Sequence, residues 1–308
     1  MRVFVCLLVL VAGASAAAQS PPTGARQPLA TQDEVKRLVA GVYEALARTE
    51  PVTVGGRATT TEGRELAMQR AASAVALAPD NPDARIAMGD VLVDATPDAA
   101  ETEYRRALAT RPDFIPGRIK LAEAMRLQGR FPDALTELRD IIRVSPGAAK
   151  AHSDLGMILR EQKSLPEAVA SYREAIRLAP DDSDAHNGLA ITFARLGRME
   201  DAVMEFREMV RIDPDSTIAH YNLAYALADL DRDVESAAAL REVIRINPNH
   251  YNARYNLGEL FRMEGKFDES ATQFREYLRL APDTPQNRRN ITRAREFVSK
   301  FEEPAPQP

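Results

Sequence analysis

Seven prolines recur along this chain at an almost constant interval. Successive members of the set are 33 residues apart once and 34 residues apart in the five intervals after that. The prolines are Pro79, Pro112, Pro146, Pro180, Pro214, Pro248 and Pro282. A fixed period of this length marks a repeat array, in which each unit buries its apolar face only against its neighbours. The period therefore predicts a solenoid, and it directs the search for function to surfaces rather than to an enclosed cavity.

One period contains two stretches of helical character. In residues 149–182, the first stretch carries apolar residues with the i, i+4, i+7, i+8 spacing of an amphipathic helix: Ala151, Leu155, Ile158 and Leu159. The second stretch carries a similar set: Ala168, Tyr172, Ala175, Ile176 and Leu178. It stops before Pro180, because proline disfavours the helical conformation for the residue that precedes it. Each period is thus predicted to be a pair of helices.

Three kinds of position recur from unit to unit. A large residue followed by a small one occurs in the first helix, as in Met88-Gly89, Leu155-Gly156 and Leu257-Gly258. Glycine recurs in the turn between the two helices as Gly129, Gly197 and Gly265, where a positive φ is accessible to it. The second helix opens with a small residue, and a bulky residue comes four positions later: Tyr104, Leu138, Tyr172, Phe206, Leu240 and Phe274. Alternating small and large residues are what interlocking helices require.

These positions resemble the tetratricopeptide repeat family, whose pattern is Trp-x2-Leu-Gly-x2-Tyr, then Ala-x3-Phe, then Pro. The resemblance covers residues 82–284 as six units that start near Pro82, Ile115, Ala149, Ser183, Thr217 and Tyr251. It implies an all-α fold, a right-handed superhelical solenoid of antiparallel helix pairs. The chain departs from the family in having no tryptophan. The family's Trp position holds Arg85, Arg118, His152, His186, His220 and Arg254.

The segments at either end of the six units are predicted to complete the array. Residues 31–81 are interpreted as a degenerate helix pair, with a capping box at 31–34, helices to about Arg48 and over about 62–77, and a long loop or small hairpin between them. The first of the six units is one residue short, which we place in the turn at 94–97. Residues 285–301 are predicted to form a capping helix, and residues 302–308 a disordered tail.

The first eighteen residues have the pattern of a secretory signal peptide. Arg2 precedes an apolar run over residues 3–11, and small residues suited to cleavage lie at 14–18. The run is shorter than the roughly 20 residues that span a bilayer, so cleavage is favoured over a retained membrane anchor. The sole cysteine, Cys6, lies within the apolar run and not at a lipidation position. Residues 19–30 then form a flexible leader, and the mature protein is predicted to be periplasmic or secreted.

Composition and motifs argue against enzymatic and nucleic-acid-binding classes. The net charge is −5, with acidic and basic residues interspersed, which does not favour a nucleic-acid partner. Nucleophile elbow, phosphate-binding loop, dinucleotide fingerprint and His-Glu-x-x-His motifs are missing from the sequence. We predict a protein that is not an enzyme and uses no cofactor.

Three histidines form the only pattern that suggests a metal site. His152, His186 and His220 are each 34 residues apart. Equivalent positions in consecutive units are separated by a whole helix pair, too far for bonds of about 2.0–2.1 Å to one ion. We therefore interpret them as packing residues and predict no metal site.

In the family that this chain resembles, the first helix of each unit lines the inside of the superhelix. The resemblance implies a partner-binding concave groove lined by Lys150, Asp154, Asn187, Tyr221, Asn222, Tyr225, Asn252, Tyr255, Asn256, Glu259 and Arg262. Tyrosine offers apolar area with a polar tip, and asparagine can pair with a peptide backbone. The simpler interpretation is that these residues only fill exposed helix positions. The Lys/Asn carboxylate clamp of chaperone-tail receptors is not matched, and the asparagine ladder of the O-GlcNAc transferase repeat arm is matched only at Asn222 and Asn256.

The sequence thus predicts a non-catalytic scaffold that binds a protein or extended peptide in this groove, with no stable membrane insertion. An exported array of this kind suggests a role in bacterial envelope assembly. Two alternatives stay open: a structural protein that associates with itself, and a non-catalytic subunit of an envelope polysaccharide or outer-membrane protein export machine.

Overall fold

The computed structural model describes residues 29–47 and 61–300, and within these ranges the regular structure consists of fifteen α-helices with no strand. The helices are α1 Leu29–Ala47, α2 Thr61–Leu77, α3 Pro82–Leu92, α4 Pro97–Thr110, α5 Ile115–Leu127, α6 Phe131–Val144, α7 Ala149–Glu161, α8 Leu165–Leu178, α9 Ser183–Arg195, α10 Met199–Ile212, α11 Thr217–Asp229, α12 Asp233–Ile246, α13 Tyr251–Met263, α14 Phe267–Leu280 and α15 Arg288–Val298. The chain divides between Ala87 and Met88 into two compact units. The predicted all-α repeat fold is confirmed.

The N-terminal unit is built from α1, α2 and the start of α3. Its core brings Val35 of α1 together with Ala74, Ala78 and Ala84. The predicted capping box at residues 31–34 is wrong, because α1 already begins at Leu29. Leu and Ala favour the helix, so Thr31 lies inside it and lacks the non-helical conformation of an N-cap. The predicted hairpin between α1 and α2 lies outside the described residues, as do the signal peptide and the C-terminal tail.

The C-terminal unit repeats one geometry. From α5 onward each first helix has 13 residues and each second helix 14, separated by a three-residue turn such as 128–130. A four-residue linker such as 145–148 leads to the next pair. The short unit differs from the prediction: α3 has only 11 residues and the turn after it, 93–96, is one residue longer. The missing residue is therefore lost from the helix and not from the turn.

The periodic prolines end the second helices as expected. The residue before the proline leaves the helical conformation at Arg111, Ser145 and Ala179, with φ between −142° and −137° and ψ between 75° and 85°. At five of the seven prolines, the carbonyl of the proline itself then accepts a hydrogen bond from the residue six positions later. Such bonds link the proline to the position where the family has Trp: Arg85 to Pro79, His152 to Pro146, His186 to Pro180, His220 to Pro214 and Arg254 to Pro248. These five bonds tie the linkers concerned to the first helices that come after them.

Aromatic rings fill the space left by glycines on the first helices. A Cβ atom at Gly89 would overlap the ring of Tyr104, and one at Gly156 would come within 3.0 Å of the ring of Tyr172. A Cβ atom at Gly258 would come within 2.9 Å of Phe274. The small residue predicted at this position therefore lets a bulky second-helix side chain lie against the first-helix backbone.

Helix α15 covers the end of the array. Its Ile291, Ala294 and Val298 are buried and pack in one cluster with Tyr255, Phe274 and Tyr277. The helix starts at Arg288 and not at the predicted Pro285, because residues 284–287 form a turn in which Asn287 Nδ2 donates to the Pro282 carbonyl at 3.0 Å. Among the described residues, every helix is too short or too polar to cross a bilayer.

Candidate protein-binding groove

The first helices lie on the inner side of the C-terminal unit. Helices α5 and α7 and helices α7 and α9 lie in direct contact, and side-chain hydrogen bonds join α9 to α11 and α11 to α13. No two consecutive second helices among the described residues lie as close as the first two of these pairs. Because an array curves toward the side on which its elements are closest, the first helices face inward. We call the surface formed by α7, α9, α11 and α13 the groove.

The part of the groove at α7 is charged but internally paired. Lys150 Nζ lies 2.9 Å from Asp154 Oδ1, one helical turn away. Burial raises the pKa of the Asp154 carboxyl, and the adjacent Lys150 ammonium opposes that rise. The two residues border a small cavity of about 40 Å³ shared with Glu123 and Arg126 of α5. This region therefore offers little unpaired charge to a ligand.

The part of the groove at α9, α11 and α13 carries hydrogen bonds between units. Asn222 Nδ2 donates to Asn187 Oδ1 at 3.2 Å, and Asn256 Nδ2 donates to the Tyr221 hydroxyl at 3.0 Å. The Tyr221 ring also packs against the His250 ring, with centroids 4.9 Å apart. These bonds hold the polar side chains of three first helices in fixed positions. Asn252 lies half-buried at the start of α13.

Tyr225 projects from α11 between two apolar recesses. Its exposed fraction is 67%, which is high for a large aromatic residue. On one side is a recess of about 370 Å³ whose walls include Ile191, Ala194 and Phe206. On the other is a recess of about 220 Å³ whose walls include Leu240, Asn256, Glu259 and Leu260. Both recesses open onto the groove.

The structure separates the predicted groove residues into three groups. Tyr221, Asn222, Tyr225, Asn256 and Glu259 cluster around the two recesses or bond across them, and Asn187 joins them through Asn222. Lys150 and Asp154 lie apart, beside the small cavity at α7. Arg262 lies at the far end, where its guanidinium contacts Glu259 Oε2 at 2.8 Å.

Tyr255 is the member of the predicted set that the structure contradicts. It is only 8% exposed and lies in the cluster that α15 covers. The same repeat position on α11 is occupied by the half-buried Tyr221, so the difference comes from the neighbouring element and not from the repeat itself. At the last unit the next element is α15, which lies on Tyr255 and removes it from the groove.

Sequence reasoning missed the floor of the recesses. Phe206 of α10 and Leu240 of α12 belong to second helices, yet they reach the groove between first helices. Both hold the bulky position four residues after the small residue that opens the second helix. The sequence pattern marks that position for packing, and the same pattern could have located the recesses.

The three regularly spaced histidines do not converge. Each contacts the carbonyl of the proline in the linker that precedes its unit, at 3.1 Å for His152, 3.0 Å for His186 and 2.9 Å for His220. Within residues 29–47 and 61–300, no three His, Cys, Asp or Glu side chains are grouped so as to hold a metal ion. The histidines therefore replace the packing of the family's Trp with a hydrogen bond.

The family of the chain can be assigned from these repeats. Models of the tetratricopeptide repeat match residues 119–183, 165–217, 210–250 and 221–285, which together cover more than half of the chain. The chain belongs to the tetratricopeptide repeat family, whose helical arrays mediate protein and peptide interactions. None of the curated proteins compared with it matches.

Solved structures share the fold at low sequence identity. YrrB, described as a TPR protein with an unusual peptide-binding site, is 17% identical, with a TM-score of 0.52 over 63% of this chain and 97% of its own. A thermophilic TPR protein of Thermus thermophilus is 21% identical, with a TM-score of 0.53 over 64% and 99%. The APC/C hetero-tetramer Cut9–Hcn1 is 15% identical, with a TM-score of 0.57 over 89% of this chain and 55% of that one.

Proposed function

We propose that this protein is a non-catalytic scaffold that binds an extended segment of a partner protein in the groove. The observation that carries the proposal is the exposed Tyr225 between two apolar recesses. Large aromatic side chains beside desolvated pockets are typical of residues that dominate binding energy. A bound segment would cover the Tyr225 ring and fill the recesses with its own apolar side chains.

The hydrogen bonds across the groove support the same function. Asn187, Asn222 and Asn256 are held by one another or by Tyr221 before any ligand arrives. Side chains that are already ordered lose less conformational entropy on binding, which favours affinity. The asparagine amides retain further donors and acceptors that match a peptide backbone. A peptide-binding site is also what the description of YrrB records for that protein.

The proposal is tested by selecting ligands from a phage-displayed library of random peptides with the purified protein. Fluorescence anisotropy then measures selected peptides against Tyr225→Ala, for which we expect at least about a tenfold loss of affinity. Met204→Ala is the matched control, because Met204 is an exposed apolar residue on α10 outside the groove. Circular dichroism checks that both variants stay helical. The proposal is wrong if no peptide is selected, or if Tyr225→Ala binds as well as Met204→Ala.

We also propose that the scaffold acts outside the cytoplasm, in bacterial envelope assembly. Support comes from the sequence: Arg2, the apolar run at 3–11 and the small residues at 14–18. Fusion of residues 1–30 to alkaline phosphatase reports export, and N-terminal sequencing of the mature protein reports cleavage near Ala16 to Ala18. An inactive fusion with an intact N-terminus would contradict this part of the proposal.

A further inference from the structure

Helix α15 concentrates positive charge in a chain whose net charge is −5. Within its eleven residues it carries Arg288, Arg289, Arg293 and Arg295 against the single acidic residue Glu296. Arg288 lies 3.5 Å from Asp283, outside the groove. Helix α15 packs on the last unit through its buried apolar residues Ile291, Ala294 and Val298. The arginines are not required for that packing.

Two of these arginines lie beside the groove. Arg293 Nη2 is 3.8 Å from Glu259 Oε2 on α13, which places the Arg293 side of α15 against the groove. Arg289 is four residues earlier and therefore on the same side of the helix, one turn away. It makes no ion pair with any residue that the structure describes. Arg262 of α13 joins them through its 2.8 Å contact with Glu259. We call Arg262, Arg289 and Arg293 the arginine cluster.

The arginine cluster has a positive excess that solvent can reach. Its three guanidinium groups have one carboxylate near them, that of Glu259, which contacts Arg262 and Arg293. The side chains of Arg262 and Arg293 are 38% and 50% exposed. Glu259 is engaged by two arginines, so it is poorly placed to attract a cationic ligand. The local field instead favours an anion.

The cluster also adjoins the recess beside Tyr225. Glu259, which contacts both Arg262 and Arg293, is part of the wall of the 220 Å³ recess. A ligand with an apolar side chain in that recess therefore passes the arginine cluster within a few residues. Guanidinium groups bind carboxylates through paired, charge-assisted hydrogen bonds.

We infer that the groove selects acidic peptides, in which an apolar side chain enters the recess beside Tyr225 and neighbouring Asp or Glu carboxylates bind the arginine cluster. This inference rests on the proposed function and assigns the chemistry of the partner segment. It also sets the direction of the ligand, because its acidic part lies toward α15.

The test compares peptides selected by the purified wild-type protein with those selected by the double variant Arg289→Gln, Arg293→Gln. Neither side chain belongs to the buried stripe of α15, so the fold should persist, and circular dichroism verifies this. The matched control is Arg139→Gln, Arg275→Gln, which removes the same charge from exposed positions on α6 and α14. Anisotropy in low and high salt then measures the selected peptides with each protein.

We expect wild-type peptides to be enriched in Asp and Glu next to an apolar residue, with affinity that falls as salt rises. The double variant should bind them about three- to tenfold more weakly and select peptides without acidic enrichment, while the control matches wild type. Tyr225-dependent peptides without acidic enrichment would overturn this inference and leave the proposed function standing. Failure to select any Tyr225-dependent peptide would overturn both.

Discussion

At the scale of single residues, two fully buried tyrosines differ in whether their hydroxyl group has a hydrogen-bond partner. The Tyr104 hydroxyl donates to Asp90 Oδ1 at 2.8 Å. The Tyr277 hydroxyl is buried without a hydrogen-bond partner among the described residues, and burial raises the pKa of Tyr277 to about 12. A buried polar group without a partner loses its hydration and gains nothing in exchange. A buried tyrosine can thus raise or lower the stability of the fold, depending on whether its hydroxyl is hydrogen-bonded.

Replacing each of these tyrosines with phenylalanine should change stability in opposite directions. Tyr277→Phe removes an unsatisfied hydroxyl and keeps the ring, so we expect a gain of about 1–3 kcal/mol in the free energy of unfolding. Tyr104→Phe removes a hydrogen bond to a carboxylate and should lower it by a similar amount. Urea unfolding followed by circular dichroism measures both. Equal destabilisation of the two variants would show that the Tyr277 hydroxyl is satisfied in solution.

A second residue-scale effect concerns the protonation of His186. The hydrogen bond from His186 Nδ1 to Glu205 Oε2, at 2.7 Å, raises the pKa of His186. The folded protein therefore holds this proton more tightly than the unfolded chain does. The resulting stability is fully present below the unfolded-state pKa of about 6.5 and is lost as the pH rises through the folded value.

The difference in unfolding free energy between wild type and Glu205→Gln should therefore be largest near pH 5.5 and shrink by pH 8.5. Urea unfolding at several pH values measures it, and an NMR titration of His186 gives its folded pKa directly. Burial lowers the pKa of His250, so its own contribution has the opposite pH dependence and cancels in this comparison. A difference that does not change with pH would contradict the assigned role of Glu205.

At the scale of elements, the turn between the helices of a pair repeats one backbone conformation. The middle residue of this three-residue turn has a positive φ, between 56° and 76°, in five consecutive units: Gly129, Lys163, Gly197, Asp231 and Gly265. Glycine adopts this conformation without strain, whereas a residue with a Cβ atom loses roughly 1–2 kcal/mol. The geometry of the pair therefore imposes the conformation even where the sequence does not favour it.

Lys163→Gly should raise the free energy of unfolding by about 1 kcal/mol, because it relieves the strain of a positive φ of 64°. Lys163→Ala is the control, since it removes the same side chain but keeps the Cβ atom, and we expect no gain from it. Thermal and urea unfolding measure both variants. A gain shared by the two would assign the effect to the lysine charge and not to the backbone.

At the scale of the molecule, the C-terminal unit is a stack in which each pair contacts mainly the pairs next to it. The stability of such an array is close to a sum of local terms, and its ends open first. Helix α15 closes the C-terminal end through Ile291, Ala294 and Val298. Weakening this cover should therefore loosen the last unit while leaving the middle of the stack intact.

Ile291→Ala removes a side chain that is only 7% exposed, and such changes cost about 2–5 kcal/mol in cores. We expect faster amide hydrogen exchange in α13, α14 and α15, with unchanged protection in α7 and α8. Thr292→Ala, an exposed change on the same helix, should leave all five helices unaffected. Faster exchange spread evenly over the whole stack would mean that the unit unfolds as one body.

The sequence by itself determined the helix pairs, the period and the family. Periodic prolines end the second helices, the Leu155-Gly156 type of pair admits a neighbouring ring, and turn glycines mark the reversal, all through interactions within about one unit. These signals are local and repeated, so a single chain displays them several times. The first helices accordingly begin at Ala149, Ser183, Thr217 and Tyr251, where the pattern places the units.

Only the tertiary structure decided which side chains remain available to a partner. Tyr225 is exposed and Tyr255 is buried, although both were predicted to line the groove, because α15 packs on the last unit. The arginine cluster brings Arg262 of α13 together with Arg289 and Arg293 of α15, and Phe206 reaches the groove from a second helix. The repeat pattern specifies how one unit packs internally, whereas exposure depends on the neighbour that each surface meets in space.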